Sequence, residues 1–457
     1  MLGYSYAAVY CAKGTSRRSG RAAPRRARTH THTPTLQQYS DVVSERAVGF
    51  VLRRPPSVPL YMESLSSVGG ALAGSLDRAY YLMRFAKNRP RFFSDGWGDV
   101  EEQKKIQANL IERLSTPECC KESRKLASLR WDDHPRVGTS GAVICRAIFE
   151  SPQSDALPEA SKMARFYFVS PANSVQPWKS LSSSASPSSS DGGDSPKGIV
   201  LLLPSTGEQG SEGRLQLAER LAEENGFCSL VLTAPLYGAR KPAEQQMHYA
   251  RTVALYLLQS STIIEEAALL LCWCADRWPG VPLCVSGFSW GGAMTCVSAI
   301  LASQWARGAE VLAVPYAGSA TPAVIVDGLL QDDVDWPALA AKDGNEPFES
   351  TRARLLKLLL QTHLSEIVKP ICDGNAKGRP QLAGLRAVSF ENDYFVVRAY
   401  GEELFDIASS CCAPGAAKTL VWKGGGHVCA FLRRMRVQKE AIQEAFRALR
   451  GGSGDEN

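Results

Sequence analysis

Five residues, Gly287-Phe288-Ser289-Trp290-Gly291, set a serine between glycines where an apolar run, Leu283 to Ser286, gives way to a helical pattern, Met294 to Trp305. A serine hydroxyl is a weak nucleophile. It has to be exposed, held against a base and faced with donors for the oxyanion it creates. A Gly-x-Ser-x-Gly turn between strand and helix meets the first need, because it pushes the serine out at a sharp corner while the glycines avoid clashes with neighbouring backbone. Trp290, the next residue, is expected to offer its backbone N–H to the oxyanion.

The base follows by elimination among six histidines. His30 and His32 lie in a basic tail, His134 precedes the first strands, His248 follows an early strand and His363 falls inside a helical pattern. His427 comes after Ser289 and directly behind an apolar run, preceded by Gly424-Gly425-Gly426, glycines that would let a loop bend the imidazole back over a sheet. The orienting carboxylate belongs between serine and histidine in chain order, at the carboxyl end of a strand. Asp393, three residues beyond Phe390, fits that place, with Glu391 as runner-up. Asp327, Asp332, Asp333 and Asp335 lie farther from a strand end and are expected to cap helices or face solvent.

A second oxyanion donor should come from the turn after an earlier strand. Ser205-Thr206-Gly207-Glu208 occupies that position, making Thr206 and Gly207 the candidates; the same residues would also make an ordinary strand-ending turn. Arg240 and Lys241 follow another strand end and are candidates for holding a substrate phosphate, the alternative being a solvated basic loop. No spacing of histidine, cysteine or acidic residues suits a zinc site, and the chemistry described needs neither metal nor cofactor.

These residues need a scaffold, and the chain supplies an alternation of strands and helices. Ala142 to Phe149 and Ala164 to Val169 read as early strands, followed by a Ser/Pro/Gly-rich loop over residues 176–197. Strands are then expected at Gly198 to Leu203, Ser229 to Leu232, Leu283 to Ser286, Glu310 to Val314, Leu385 to Phe390 and Thr419 to Trp422. Helices are expected at Gly213 to Glu224, Thr262 to Arg277, Met294 to Trp305 and Ala430 to Leu449. This rhythm implies an α/β fold with a mostly parallel sheet and helices on both faces. Residues 316–383 are too many for a simple crossover; with the helical run Glu349 to Val368 they read as a helical lid insertion above the carboxyl ends of the strands.

Composition, 44% hydrophobic and 21% charged, is that of a globular protein with a sizeable core. The formal charge of +6 sits largely in the first forty residues, where Arg17, Arg18, Arg21, Arg25, Arg26 and Arg28 meet no acidic residue. The remaining body is nearly neutral, which gives nucleic-acid binding little electrostatic support. Residues 1–60 are expected to be a disordered extension or an organelle transit peptide, since an Arg-rich, acid-free leader with its apolar stretch first has the wrong order for a secretory signal. Residues 61–457 would form the catalytic domain. Ala71 to Asn88 carries Leu72, Leu76, Tyr80 and Met83 at helical spacing beside Arg78, Arg84 and Lys87, a helix for packing on the domain or for peripheral membrane contact. No run reaches the roughly 20 apolar residues of a membrane span. Thirteen cysteines without a C-x-x-C pair read as reduced, half-buried thiols.

One resemblance adds to this reading. The elbow, Ser205-Thr206-Gly207-Glu208, the loop Tyr237-Gly238-Ala239-Arg240-Lys241-Pro242 and Gly425-Gly426-His427-Val428 occur in the order of one eukaryotic family. With Gly96-Trp97-Gly98, they make the chain resemble the α/β-hydrolase domain-containing protein 18 family from about Leu76 to Leu449. The resemblance implies the α/β-hydrolase fold, kinship with esterases and lipases, and Ser289, Asp393 and His427 at the triad positions. It also implies hydrolysis of an acyl ester, with a lipid or phospholipid as substrate and mitochondria as the location; the cytoplasm or another organelle is the alternative. The chain departs from the family at Trp290, where methionine is usual, near Gln209, where histidine is frequent, and in the turn, typically Gly-Thr-Gly-Asp. Trp290 keeps the backbone donor but reshapes the acyl pocket. Two rival readings use the same residues: an inactive hydrolase-fold scaffold that binds a ligand, and an acyltransferase in which an alcohol replaces water.

Overall fold

Strand formation follows apolar runs. In a computed structural model, which describes residues 75–79, 91–115, 126, 129–132, 134–174, 195–246, 248–306, 308–342, 344–373 and 382–451, these runs assemble into one sheet. The basic leader, most of the Ser-rich loop and most of the helix expected over residues 71–88 lie outside the described residues.

The strands are β1 (Arg130–Trp131), β2 (Arg136–Val137), β3 (Val143–Glu150), β4 (Met163–Ser170), β5 (Ile199–Leu203), β6 (Cys228–Thr233), β7 (Leu283–Phe288), β8 (Val311–Tyr316), β9 (Gly384–Phe390) and β10 (Ala417–Trp422). Their order is β1-β3-β4-β6-β5-β7-β8-β9-β10, with β2 paired to β3. From β6 to β10 every neighbouring pair is parallel, while β1 to β4 add antiparallel pairs at one edge, β4 running against β6. β5 is Ile-Val-Leu-Leu-Leu with every residue buried, the pattern of a strand covered on both faces.

Helices join the parallel strands. α1 (Val100–Ser115) precedes the sheet, α2 (Glu212–Asn225) links β5 to β6, α3 (Val253–Arg277) links β6 to β7, and α4 (Trp290–Trp305) links β7 to β8. Between β8 and β9 lie α5 (Val324–Asp327), α6 (Trp336–Lys342), α7 (Phe348–Leu360) and α8 (Leu364–Asp373); α9 (Arg398–Ser409) links β9 to β10, and α10 (His427–Gly451) follows β10. α2 and α10 pack one core with Val200 and Leu202 of β5, through pairs such as Phe227 and Phe446, whose rings lie 4.3 Å apart. Ile199, Leu201 and Leu203 point to the other face by strand alternation, where α3 and α4 pack against β5 and each other.

Several elements differ from the sequence expectation. α3 starts nine residues earlier than Thr262, capped by the Thr252 hydroxyl accepting from the Leu255 N–H. α3 is long and apolar enough to cross a bilayer, yet it is packed inside the domain, and a helix buried nearly all round shows no apolar stripe from which to read its start. The run Glu349 to Val368 is two helices, α7 and α8, broken at residues 361–363. The insertion is tied down from outside: Phe92 pairs with Val334 in a parallel bridge, and the Trp97 indole donates to the Leu339 carbonyl at 3.1 Å. Asp333, expected to cap or to face solvent, is buried there, whereas Asp335 does cap α6 through the Ala338 N–H.

Candidate active site

Ser289 leaves β7 with φ 59° and ψ −117°, a positive-φ conformation that a non-glycine residue adopts at a cost of about 1–3 kcal/mol. The surroundings hold it there. Its N–H donates to the Tyr316 carbonyl at 2.9 Å, and its carbonyl accepts the Ala293 N–H of α4 at 3.0 Å. A Cβ on Gly287 would stand 2.5 Å from the Gly291 backbone, and one on Gly291 would stand 2.6 Å from the Pro204 carbonyl oxygen. The elbow glycines are therefore demanded by space, where the end of β5, the turn and α4 meet.

Asp393 lies three residues beyond β9. Its Oδ1 accepts the N–H groups of Phe395 and Val396 at 2.9 and 2.8 Å, a local turn that fixes the side chain and leaves Oδ2 free to face His427. His427 Nδ1 sits 2.7 Å from that Oδ2, and Nε2 sits 2.9 Å from Ser289 Oγ. The geometry suits the tautomer with its proton on Nδ1 towards the carboxylate, which leaves Nε2 facing the serine hydroxyl. The imidazole is held between the Phe288 and Phe395 rings, with centroids 4.7 and 5.1 Å away. Glu391, the runner-up acid, instead accepts the Gly424 N–H at 3.0 Å.

His427 is the first residue of α10, not part of a loop before it. Of the three preceding glycines only Gly424 has a positive φ, 68°. Gly426 is required for another reason: a Cβ there would lie 2.7 Å from a carboxylate oxygen of Asp77. Asp77 is fully buried; it accepts the His427 N–H at 2.9 Å and the Val428 N–H at 2.8 Å. Sequence reasoning missed this residue.

At the oxyanion side, Ser289, Trp290, Ser205 and Thr206 line one cavity. The Gly207 N–H lies 3.4 Å from the Tyr237 hydroxyl, and Thr206 is the candidate turn residue that lines the serine cavity. The turn is braced by Glu208, which accepts from the Ser205 N–H at 3.1 Å and pairs with Arg214 at 2.8 Å.

Arg240 and Lys241 are corrections. Arg240 is wholly buried; its two terminal nitrogens meet the Glu266 carboxylate at 2.8 and 2.7 Å and also donate to the carbonyls of Thr233 and Ser161. Lys241 Nζ donates to the Gln245 carbonyl at 3.2 Å. Neither residue lines the serine cavity, and a guanidinium already bound on both ends has no fork left for a phosphate.

The serine cavity spans about 1100 Å³, the open space at its mouth included, and is walled by Phe92, Tyr256, Met294, Leu330 and Phe395, with His248 as a polar member that sequence reasoning passed over. A second cavity of about 550 Å³ shares Ala293, Met294, Ser319 and Pro322 with it. Of the remaining histidines, His363 sits at the break between α7 and α8, with Nε2 3.1 Å from Glu403, and His134 is exposed.

The family model described as "Alpha/beta hydrolase domain containing 18" matches residues 90–368. Among solved structures, the chain is similar to a cold-adapted esterase from an Arctic intertidal metagenomic library, with 13% identity, 69% of this chain and 99% of that one covered, and a TM-score of 0.41. It is also similar to acetyl xylan esterase 1 from a Thermoanaerobacterium species, with 11% identity, 79% and 96% covered, and a TM-score of 0.43.

Proposed function

The chain belongs to the alpha/beta hydrolase domain containing 18 family, and on that premise we propose that it is a serine hydrolase of carboxylic esters, with a lipid acyl ester as substrate. One observation carries the reading: the unbroken series Ser289 Oγ, His427 Nε2, His427 Nδ1 and Asp393 Oδ2, with links of 2.9 and 2.7 Å, opens at its serine end onto an apolar cavity.

In this reading Ser289 Oγ attacks the carbonyl carbon while its proton passes to His427 Nε2, and Asp393 stabilises the resulting imidazolium. The backbone N–H groups of Trp290 and Thr206 receive the oxyanion. As the tetrahedral adduct collapses, the alcohol leaves with the proton from Nε2, and the acyl group stays on Ser289. A water molecule, deprotonated by the same nitrogen, then releases the carboxylic acid. A scaffold that only bound a ligand would have no use for three aligned groups.

The acyl part rests on the apolar wall of the cavity and on the second cavity beside it, which shares Met294 as a wall, room suited to a flexible hydrocarbon chain. The insertion, whose Val324, Ile325 and Leu330 close part of the cavity, would act as the lid. No phosphate contact is carried over to Arg240 or Lys241. Hydrolysis of p-nitrophenyl esters over a range of chain lengths tests the proposal. Wild type should favour medium or long chains, and Ser289→Ala should lose on the order of 10⁴-fold or more in kcat/KM. Equal turnover by the two proteins would end it.

A further inference from the structure

α10 begins without a cap of its own. The first N–H groups of a helix have no partner within it, and Ser, Thr, Asp or Asn usually supplies one from the position just before. Here Gly424-Gly425-Gly426 precede His427 and have no side chains to offer. The partner comes from 350 residues away: Asp77 Oδ2 accepts the His427 N–H at 2.9 Å and Oδ1 the Val428 N–H at 2.8 Å. The same Oδ2 lies 3.3 Å from the Tyr394 N–H, in the loop that carries Asp393.

One carboxylate thus clamps both loops of the proposed relay, the loop bearing the acid and the turn bearing the base. Gly426 is the space it needs, since a Cβ there would also stand 2.9 Å from the Asn392 carbonyl oxygen. A negative group at the amino end of a helix is favoured by the helix dipole, and α10 has no acidic residue in its first turn.

We propose that Asp77 is a positioning residue of the hydrolytic site, holding the backbone of His427 and Tyr394 so that the imidazole bridges Ser289 and Asp393 in one fixed geometry. This rests on the Ser289, His427 and Asp393 reading above. Asp77 lies before residue 90, where the family match starts, so the working catalytic unit extends towards the amino terminus beyond the matched segment. Burial pushes the Asp77 carboxyl above its ordinary range and Asp393 adds to the push, while the three N–H groups draw it back down. The three hydrogen bonds offset part of the desolvation cost of burying this carboxyl.

The test uses the full chain and a tagged fluorophosphonate, which reacts as the proposed acylation does. Ser289 Oγ bonds to phosphorus, the P–F bond breaks, fluoride leaves and the hydroxyl proton goes to His427. Wild type, Ser289→Ala, Asp77→Ala, Asp77→Asn and Arg78→Ala are compared for kinact, KI and thermal midpoint, with rates taken on the folded fraction. Asp77→Ala should lower kinact roughly 10- to 100-fold with KI within about two-fold, because a misplaced base slows the chemical step and leaves binding alone. Asp77→Asn, which fills the same space but keeps one accepting oxygen, should fall between wild type and alanine. Arg78→Ala, whose guanidinium lies over the Tyr394 ring at 5.6 Å, should stay near wild type. If Asp77→Ala does not fold, Asp77→Asn decides alone. A kinact for Asp77→Asn equal to wild type, or a loss for Arg78→Ala as large as for Asp77→Ala, overturns the positioning role alone. A wild type that reacts no faster than Ser289→Ala overturns both this role and the reading it rests on.

Discussion

Two groups of buried charge sit near the carboxyl ends of strands in this protein, and they differ in one respect that matters. At Arg240 and Glu266, both with side chains fully out of solvent, the contacts turn back on one another at both terminal nitrogens: guanidinium to carboxylate twice, guanidinium to two backbone carbonyls, and the Ser151 hydroxyl to the same carboxylate at 2.6 Å. At Asp77, Asp393 and His427 the contacts run in a series that ends on a hydroxyl facing a cavity. Burial, charge and a place behind a strand are common to both. What separates a structural lock from a candidate catalytic site is the unfinished end: a group held by its partners on one side and presented to empty space on the other.

The largest effect that would test this contrast is expected at Asp393. Asp393→Asn keeps the shape but favours the wrong imidazole tautomer, and ester hydrolysis should fall about 10⁴-fold while the thermal midpoint changes little. A variant that hydrolyses normally would show that the series is not a relay. The Arg240 and Glu266 group should respond the other way round. Arg240→Ala leaves the Glu266 charge buried without its partner and should cost about 3–5 kcal/mol in urea unfolding, with activity per folded molecule close to wild type. Replacing both partners with apolar residues of similar volume should recover much of that loss. If Arg240→Ala instead removed activity from a protein of undiminished stability, the division between lock and site would fail. The smallest effect concerns other would-be nucleophiles. Burial raises the Cys145 thiol to about 11 and the Cys228 thiol to about 12. At about pH 7.5 both stay protonated, so iodoacetamide should modify them only after unfolding, as mass spectrometry of digests would show. Modification of either in the native enzyme would mean that its closed surroundings open.

How legible all this was in the sequence depends on how local each cause is. β5 and β8 could be read because strands buried on both faces are written as apolar runs, and the elbow because Gly287 answers a contact with Gly291 within a few residues of Ser289. Asp393 and His427 followed from chain order and strand ends. Arg240 misled because a cation behind a strand looks the same whether it faces a cavity or Glu266, and the deciding partner lies 26 residues on, within α3. The contact of the Gly207 N–H with the Tyr237 hydroxyl, 30 residues away, could not be read from the turn itself. Asp77 lay furthest from view: its partners are some 350 residues distant, and its one trace in the sequence is negative, a helix that opens after three glycines with nothing to cap it. The cysteines were expected to be half-buried, yet seven of the nine whose side chains are described are buried outright, since small apolar-like thiols fill the core.

The central claim is that Ser289 is the open end of the relay. Treating the purified full chain with a fluorophosphonate, then mapping the adduct by peptide mass spectrometry, addresses it most directly. A single phosphonyl group on Ser289, lost in Ser289→Ala and strongly slowed in His427→Ala, is the predicted result. An adduct on another residue, or none on a folded protein, would contradict the account.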